Sequence, residues 1–393
     1  MITYEEALKI TLSNLNPTSK SEYVSLLDAL GRVCAQDVTC RKNLPSYNNA
    51  ALDGFAIAYK DVGKTLKIKT TVFAGDVVDA CLEEGECYKI MTGACVPSDA
   101  DTIVAFEDTL GYDEYSVKIP ENVKKANAFR FKGEEQTKGN SLMKKGELLT
   151  PAHIAMLSAQ GIMQVNVHVK PKIAVVSTGN ELKEPWEEAS EETIFNANAF
   201  AIISILKRFG FEATYSGVIP DSLDESTSFL SGLKSYDFII SSGGVSKGEA
   251  DFVRLALEKN GFESKFHGVN LKPGRAMMVG TMNSTMVISL PGNPMAAFLN
   301  AYTFVIPAVK AWCGYENPLH KTYMATNTKD IYLKSGRNNL ILGTLKDGNF
   351  TVTRDNKFGS GMLTPLMESN ALLISDTDTK EFKVNEKINV VIL

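Results

Sequence analysis

Carboxylates, hydroxyls and glycines gather at a few short stretches of this 393-residue sequence. The densest is Asp237-Phe-Ile-Ile-Ser-Ser-Gly-Gly-Val-Ser-Lys-Gly-Glu-Ala-Asp251. Its apolar run, 238–240, has the composition of a buried strand, and helical spacing begins at Asp251. A strand that ends in Ser241-Ser242-Gly243-Gly244 and turns into a helix can cradle an oxyanion or a phosphate. Glycine lets a backbone approach a ligand, and unpaired N–H groups at a helix start favour negative charge. Glu249 and Asp251 add carboxylates beside the cradle, which suits a metal that bridges to phosphate. An ordinary Gly-rich strand-to-helix turn would use the same residues, so this stretch alone leaves both readings open.

Other stretches carry compatible chemistry. Ser177-Thr178-Gly179-Asn180-Glu181 and Pro291-Gly292-Asn293-Pro294 each follow an apolar run, as does Asp221 behind Pro220. Lys272-Pro273-Gly274-Arg275 offers two cations for an anion. Upstream, Asp53-Gly54 and Thr92-Gly93 pair a carboxylate or a hydroxyl with a glycine; a plain turn and a capped strand end are the alternatives there.

The elements that must position these residues follow from periodicity. From residue 172 to about 316, strand-like runs (173–176, 213–218, 238–240, 263–269, 285–290) alternate with helical ones (198–209, 223–233, 251–260 and from 295). That alternation predicts an α/β domain with a doubly wound, mostly parallel sheet. Ligands of such sheets bind at the carboxyl ends of strands, where the loops 177–182, 241–251 and 291–294 fall. Upstream, short β-rich runs at 67–73, 85–90, 102–106 and 115–119 predict a small mostly-β module. Before and after it lie a capped helix at 3–16, a charged stretch at 127–146 that reads as a return linker or a binding loop, a helix at 151–161 and a hairpin-like stretch at 164–169. Beyond 317 the chain is β-rich again and predicts a small barrel or sandwich. Its chemistry is confined to Lys334-Ser-Gly-Arg337 and Gly359-Ser360-Gly361.

Composition narrows the function classes. A net charge of −5 with no concentrated basic patch argues against nucleic-acid binding. No apolar run reaches membrane-spanning length, and the acidic N-terminus lacks a signal-peptide pattern. Six scattered cysteines without a C-x-x-C pair read as reduced thiols of a cytoplasmic protein. Four histidines, none at metal-pair spacing, argue against a His-rich zinc or iron site.

Together the stretches resemble one family. Ser242-Gly-Gly-Val-Ser-Lys-Gly-Glu-Ala-Asp251 is similar to the signature of molybdenum-cofactor biosynthesis proteins, and Ser177-Thr-Gly-Asn-Glu-Leu182, Lys272-Pro-Gly and Leu290-Pro-Gly-Asn-Pro294 follow in the family's order. Asp53-Gly-Phe-Ala56, Met91-Thr-Gly93 and the β-rich C-terminal region resemble the long form, the molybdopterin molybdenumtransferases, relatives of the C-terminal half of gephyrin. The resemblance implies four regions: 1–43 with 127–171 as a discontinuous linker and dimerisation domain, 44–126 as a β-rich lid, 172–316 as the molybdopterin-binding α/β domain, and 317–393 as a β-barrel. It implies a homodimer that takes adenylylated molybdopterin and molybdate with Mg²⁺, releases AMP and leaves molybdenum on the dithiolene. The adenylyltransferase and acceptor molybdoenzymes are the further partners it implies.

Carried over by position, Asp53, Thr92, Glu181, Asp251 and Lys272 are the implied catalytic residues, with Asp251, Asp221 and Glu181 on the metal. Ser177, Thr178, Gly179, Asp221, Ser242, Gly243, Gly244, Ser246, Arg275, Pro291, Gly292 and Asn293 are the implied substrate-binding set. The chain departs from the family pattern at Ala50-Ala51-Leu52, where a serine is common, at Gly268, where a lysine is common, and at Arg275-Ala276, where Lys-Pro is common. Two other roles share this fold: adenylyl transfer from ATP to molybdopterin, and a non-catalytic scaffold.

Overall fold

Runs such as Ile173-Ala-Val-Val and Phe238-Ile-Ile are apolar on both faces, as strands covered from both sides must be. The computed structural model describes residues 1–79, 81–188, 190–245 and 250–393, with backbone alone at 250–252. In it the α/β region runs β1 (Ile173–Thr178), α1 (Asn198–Arg208), β2 (Thr214–Ile219), α2 (Leu223–Ser231), β3 (Phe238–Ser242), α3 (Ala250–Lys259), β4 (Phe262–His267), β5 (Met278–Met282), β6 (Thr285–Leu290) and α4 (Pro294–Asn300). The sheet order is β2-β1-β3-β6-β5-β4. Strands β2, β1, β3 and β6 are parallel, and β5 and β4 extend the sheet antiparallel.

Alternate side chains divide the core. Ile173, Val175, Phe238, Ile240 and Ile288 face one layer with Ala199, Ile202 and Leu206 of α1. Ala174, Val176, Ile239 and Val287 face the other, with Leu230 of α2 and Ala256 and Leu257 of α3. Burying each large aliphatic side chain contributes about 1.5–3 kcal/mol, so the strand ends are held by a rigid floor. Strand β5 was not expected. It returns on β6 through a two-residue turn in which Asn283 takes φ 55°, the left-handed conformation that such turns require.

The N-terminal helix, Tyr4–Ser13, has the expected start: Thr3 Oγ1 accepts from Glu6 N–H, and Thr3 N–H donates to Glu6. The stretch expected to be hairpin-like is instead a strand, Gln164–His168, whose antiparallel partner is Ser21–Ser25 from far upstream. Val38–Thr39 pairs likewise with Ser141–Met143. Between these pairings lies a five-stranded sheet of Thr102–Ala105, Gly54–Ile57, Glu86–Ile90, Thr65–Val72 and Ser116–Lys118.

The C-terminal region is a closed barrel rather than a sandwich. Asn338–Lys346 pairs with both Asn349–Val352 and Ala371–Ile374, and Lys387–Ile392 with Thr322–Asn327 completes the ring. One short strand of the α/β region, Leu271–Lys272, adds to it in parallel beside Asn338 and Asn339. The Lys272 loop is thus stitched to the barrel. No helix among the described residues is long and apolar enough to cross a membrane.

Candidate active site

The four parallel strands all deliver their carboxyl ends to one cavity of about 630 Å³. Its walls are the loops after β1 (Ser177 to Leu182), β2 (Ile219 to Asp221), β3 (Ser242 to Val245) and β6 (Pro291 to Pro294). The three loops expected at the sheet's edge are therefore neighbours, and the β2 loop with Asp221 completes them.

Glycines make the close contacts possible at two points. Gly243 has φ 91°, and a Cβ there would lie 2.4 Å from Thr178 Oγ1. Thr178 Oγ1 also lies 3.3 Å from the Ser242 carbonyl, to which it donates, so the β1 and β3 loops interlock. At Gly179 (φ 130°) a Cβ would meet the Glu181 carboxylate at 2.6 Å. Glu181 thus folds back across its own loop. Asp221 is held from the same side, because Asn180 Nδ2 donates to its Oδ2. Both carboxylates are exposed at the cavity's rim. Beneath them the floor is polar and buried: Ser177 is 1% and Asn196 2% exposed. Asn196 Oδ1 accepts from Ser177 Oγ at 3.2 Å, and Asn196 Nδ2 donates to Tyr215 Oη at 2.8 Å. Tyr215 in turn donates to Glu184. Burial first, then that carboxylate, pushes the Tyr215 phenol far above its ordinary value, so it stays a donor.

A second cavity of about 570 Å³ adjoins the first and shares Ala276, Pro291 and Asn293 with it. It lies between the α/β region and the barrel. Lys272 and Arg275 enter from one side, Arg337, Asn339 and Ser360 from the other. Arg337 Nε is buried without a hydrogen-bond partner. The seam between the cavities is fixed by Ser360: Asn293 Nδ2 donates to its Oγ at 3.0 Å, and Met295 N–H donates to its carbonyl at 3.1 Å. The first free N–H of helix α4 is therefore capped by the barrel.

The charges of the two cavities oppose each other. The first has Glu181 and Asp221 and no Lys or Arg among its described lining residues. The second has three cationic side chains. Among the described residues no group of three or more His, Cys, Asp or Glu forms a complete metal cage. Two hard carboxylates beside a glycine cradle nevertheless suit a divalent cation that takes its remaining ligands from phosphate and water. An anionic phosphate would otherwise face two like charges.

Asp53 and Thr92 are brought together, but away from both cavities. Thr92 donates from its N–H and its Oγ1 to Asp53 Oδ1, each at 2.6 Å. These bonds hold the Asp53 carboxyl below the usual carboxylate range. Gly54 beside it is not a turn residue. It opens the strand Gly54–Ile57, and a Cβ there would lie 2.1 Å from the Val104 carbonyl. Close strand approach, not positive φ, demands this glycine. Ser246 and the Asp251 side chain lie outside the described residues.

Sequence reasoning did not pick out Asn180, Asn196, Asn198, Arg337, Asn339 or Ser360 as site residues. The stretches holding Arg337 and Ser360 did stand out as the chemistry of the barrel, and their place beside Lys272 was what the sequence did not carry.

Comparison with known proteins gives this geometry a context. The MoeA N-terminal region (domain I and II) matches residues 2–161, the probable molybdopterin binding domain matches 174–311, and the MoeA C-terminal region (domain IV) matches 324–393. The molybdopterin molybdenumtransferase of Haemophilus influenzae is 28% identical over 99% of this chain and 98% of its own length. The enzyme of the same name from Bacillus subtilis is 28% identical over 100% of this chain and 94% of its own. The crystal structure of the molybdopterin biosynthesis MoeA protein of Pyrococcus horikoshii superposes with a TM-score of 0.88, at 29% identity and full coverage of both chains.

Proposed function

Because the chain belongs to the MoeA family, matched region after region from residue 2 to residue 393, we propose that it is a molybdopterin molybdenumtransferase. It is a transferase of molybdenum-cofactor biosynthesis. Its reaction, in this reading, takes adenylylated molybdopterin and molybdate as substrates, cleaves the adenylyl–phosphate linkage, releases AMP and leaves molybdenum on the dithiolene.

The observation that carries this reading is the pair of adjoining cavities of opposite charge. Cleaving a phosphoanhydride requires its oxygens to be oriented and their growing charge offset. The Ser242–Gly244 cradle and the Pro291–Asn293 loop would hold the phosphates and pterin end of one substrate. Mg²⁺ would be held by Glu181 and Asp221, with Asp251 a further candidate, and would supply Lewis-acid charge at the phosphate oxygens. Molybdate, a tetrahedral dianion, suits the basic cavity. Lys272 offers it a point charge, and Arg275 and Arg337 offer planar forks that can bind oxyanions through two hydrogen bonds. Arg275 thus supports anion binding in its own right. The shared residues Pro291 and Asn293 leave the two substrates in contact, which is where transfer has to occur.

Asp53 and Thr92 line neither cavity of their own chain, which supports a homodimer in which the small β module of one subunit completes the site of the other; a cytoplasmic location belongs to the same reading. The division 1–43 with 127–171, 44–126, 172–316 and 317–393 belongs to the same reading, and the strand pairings of 21–25 with 164–168 and of 38–39 with 141–143 support it. The test is direct. Incubation with adenylylated molybdopterin and Mg²⁺ should release AMP, and molybdate should stimulate the release. A folded protein that releases none, with or without molybdate, would overturn the reading.

A further inference from the structure

Asn198 opens helix α1 and reaches two site loops at once. Its Nδ2 donates to Ser242 Oγ at 2.7 Å and to the Gly292 carbonyl at 2.8 Å. A carbonyl can only accept, so the amide nitrogen must face the loops and each of its two hydrogens serves one of them. The loops also meet lower down. Gly243 N–H donates to the Leu290 carbonyl at 3.1 Å, and a Cβ on Gly292 would lie 3.7 Å from Gly243 Cα. Ser242 Oγ donates to the Pro291 carbonyl at 3.5 Å, and Asn198, through its two shorter bonds, ties the cradle to the Pro291–Asn293 loop above these contacts. Its own position is fixed from below. Asn196 Oδ1 accepts from Ala199 N–H at 3.3 Å and from Ser177 Oγ at 3.2 Å, which pins the first turn of α1 to the end of β1.

We propose that Asn198 is a positioning residue of the acidic cavity, whose carboxamide sets the separation of the Ser242 and Gly292 loops that receive the substrate. This deepens the reading that the cavity takes adenylylated molybdopterin, and rests on it for its kinetic consequence alone. The structural claim stands apart from the identity of the ligand.

The experiment uses the full chain as wild type, Asn198→Ala, Asn198→Asp, Ser242→Ala and Asn198→Ala with Ser242→Ala. The first measurement is hydrogen–deuterium exchange in the free protein. Losing two hydrogen bonds of ordinary strength should speed loop opening about 10-fold, so Asn198→Ala should raise exchange at 241–245 and 290–297 with β1 unchanged. In Asn198→Asp the carboxylate can still accept from Ser242 but faces the Gly292 carbonyl, so 290–297 should loosen alone. The second measurement is AMP release. Asn198→Ala should raise KM for adenylylated molybdopterin about 10-fold with kcat within about 3-fold, and the double variant should lose less than the sum of the two single variants, because they share the Asn198–Ser242 bond while Ser242 alone reaches the Pro291 carbonyl. Unchanged exchange in Asn198→Ala, faster exchange spread over the whole sheet, an unchanged KM, or additive effects in the double variant would each overturn the proposal. A wild-type chain that shows the expected exchange pattern in its variants but releases no AMP would support the positioning role and overturn the substrate reading.

Discussion

The two cavities are built by different parts of the chain under different rules. The acidic one is made by a single sheet: four parallel strands stop at the same edge, and the loops after them are neighbours because the strands are. The basic one is made by two regions that need not have met. Leu271–Lys272 leaves the α/β region to pair with the barrel at Asn338 and Asn339, and the two regions share a buried core. A site of the first kind is as stable as its sheet. A site of the second kind depends on a short parallel pairing, on Ser360 at the seam and on barrel side chains such as Leu340, Leu342, Leu372 and Val391 that share a core with the α/β region. The charges follow the same division, with carboxylates on the sheet loops and three cations across the regional boundary.

If the division is functional, each cavity should control its own substrate. The largest effect is expected on the acidic side. Replacing Glu181 and Asp221 together by Gln and Asn should lower kcat for AMP release by about 100-fold and raise the Mg²⁺ concentration needed, with KM for molybdate unchanged. Next comes the basic side. Arg337→Ala removes charge-assisted hydrogen bonds and should raise KM for molybdate by about 10–100-fold while leaving the Mg²⁺ requirement alone. Both are read from AMP release titrated with metal or with molybdate. If either variant shifts both titrations equally, the division into two chambers is wrong. A smaller effect is expected at the seam. Ser360→Ala loses the Asn293 bond, worth about 1 kcal/mol, so both titrations should move together by about 5-fold.

What the sequence made legible follows the same line. The sheet-built cavity was readable, because apolar runs ending in Ser, Thr and Gly carry a local signature that topology then gathers. Its Asn196 and Asn198 were not, because an asparagine before a helix looks like a cap, and which loops it ties is a tertiary fact. Strand β5 escaped because its turn, Asn283-Ser284, has no glycine, and Asn took the positive φ instead. Asp53-Gly54 suggested a turn because the composition of a turn and of a tightly approached strand is the same; the Val104 carbonyl decides between them. Arg337 and Ser360 stood out as residue types, but their place beside Lys272 depends on a pairing between residues 271–272 and 338–339, which no local pattern announces.

The smallest effect concerns Asp53, which belongs to neither chamber of its own chain. Its carboxyl lies below the ordinary value of about 3.9, because Thr92 donates to it from Oγ1 and from N–H. A carboxyl depressed in this way is fully ionised above its unfolded value. The preference is lost only as pH falls through the lower folded value. Asp53 should therefore stay charged across the whole range near neutrality, and AMP release between pH 6 and 8 should show no titration from it. Thr92→Val removes the Oγ1 donor and keeps the N–H. The Asp53 pKa, followed by carboxyl NMR, should then rise part of the way toward its ordinary value, while the activity profile near neutrality keeps its shape. A pKa that does not move in Thr92→Val would mean that the hydroxyl contributes nothing to the carboxylate. Asp53 would then be oriented by the backbone alone, and Thr92 would be free to act on something other than Asp53.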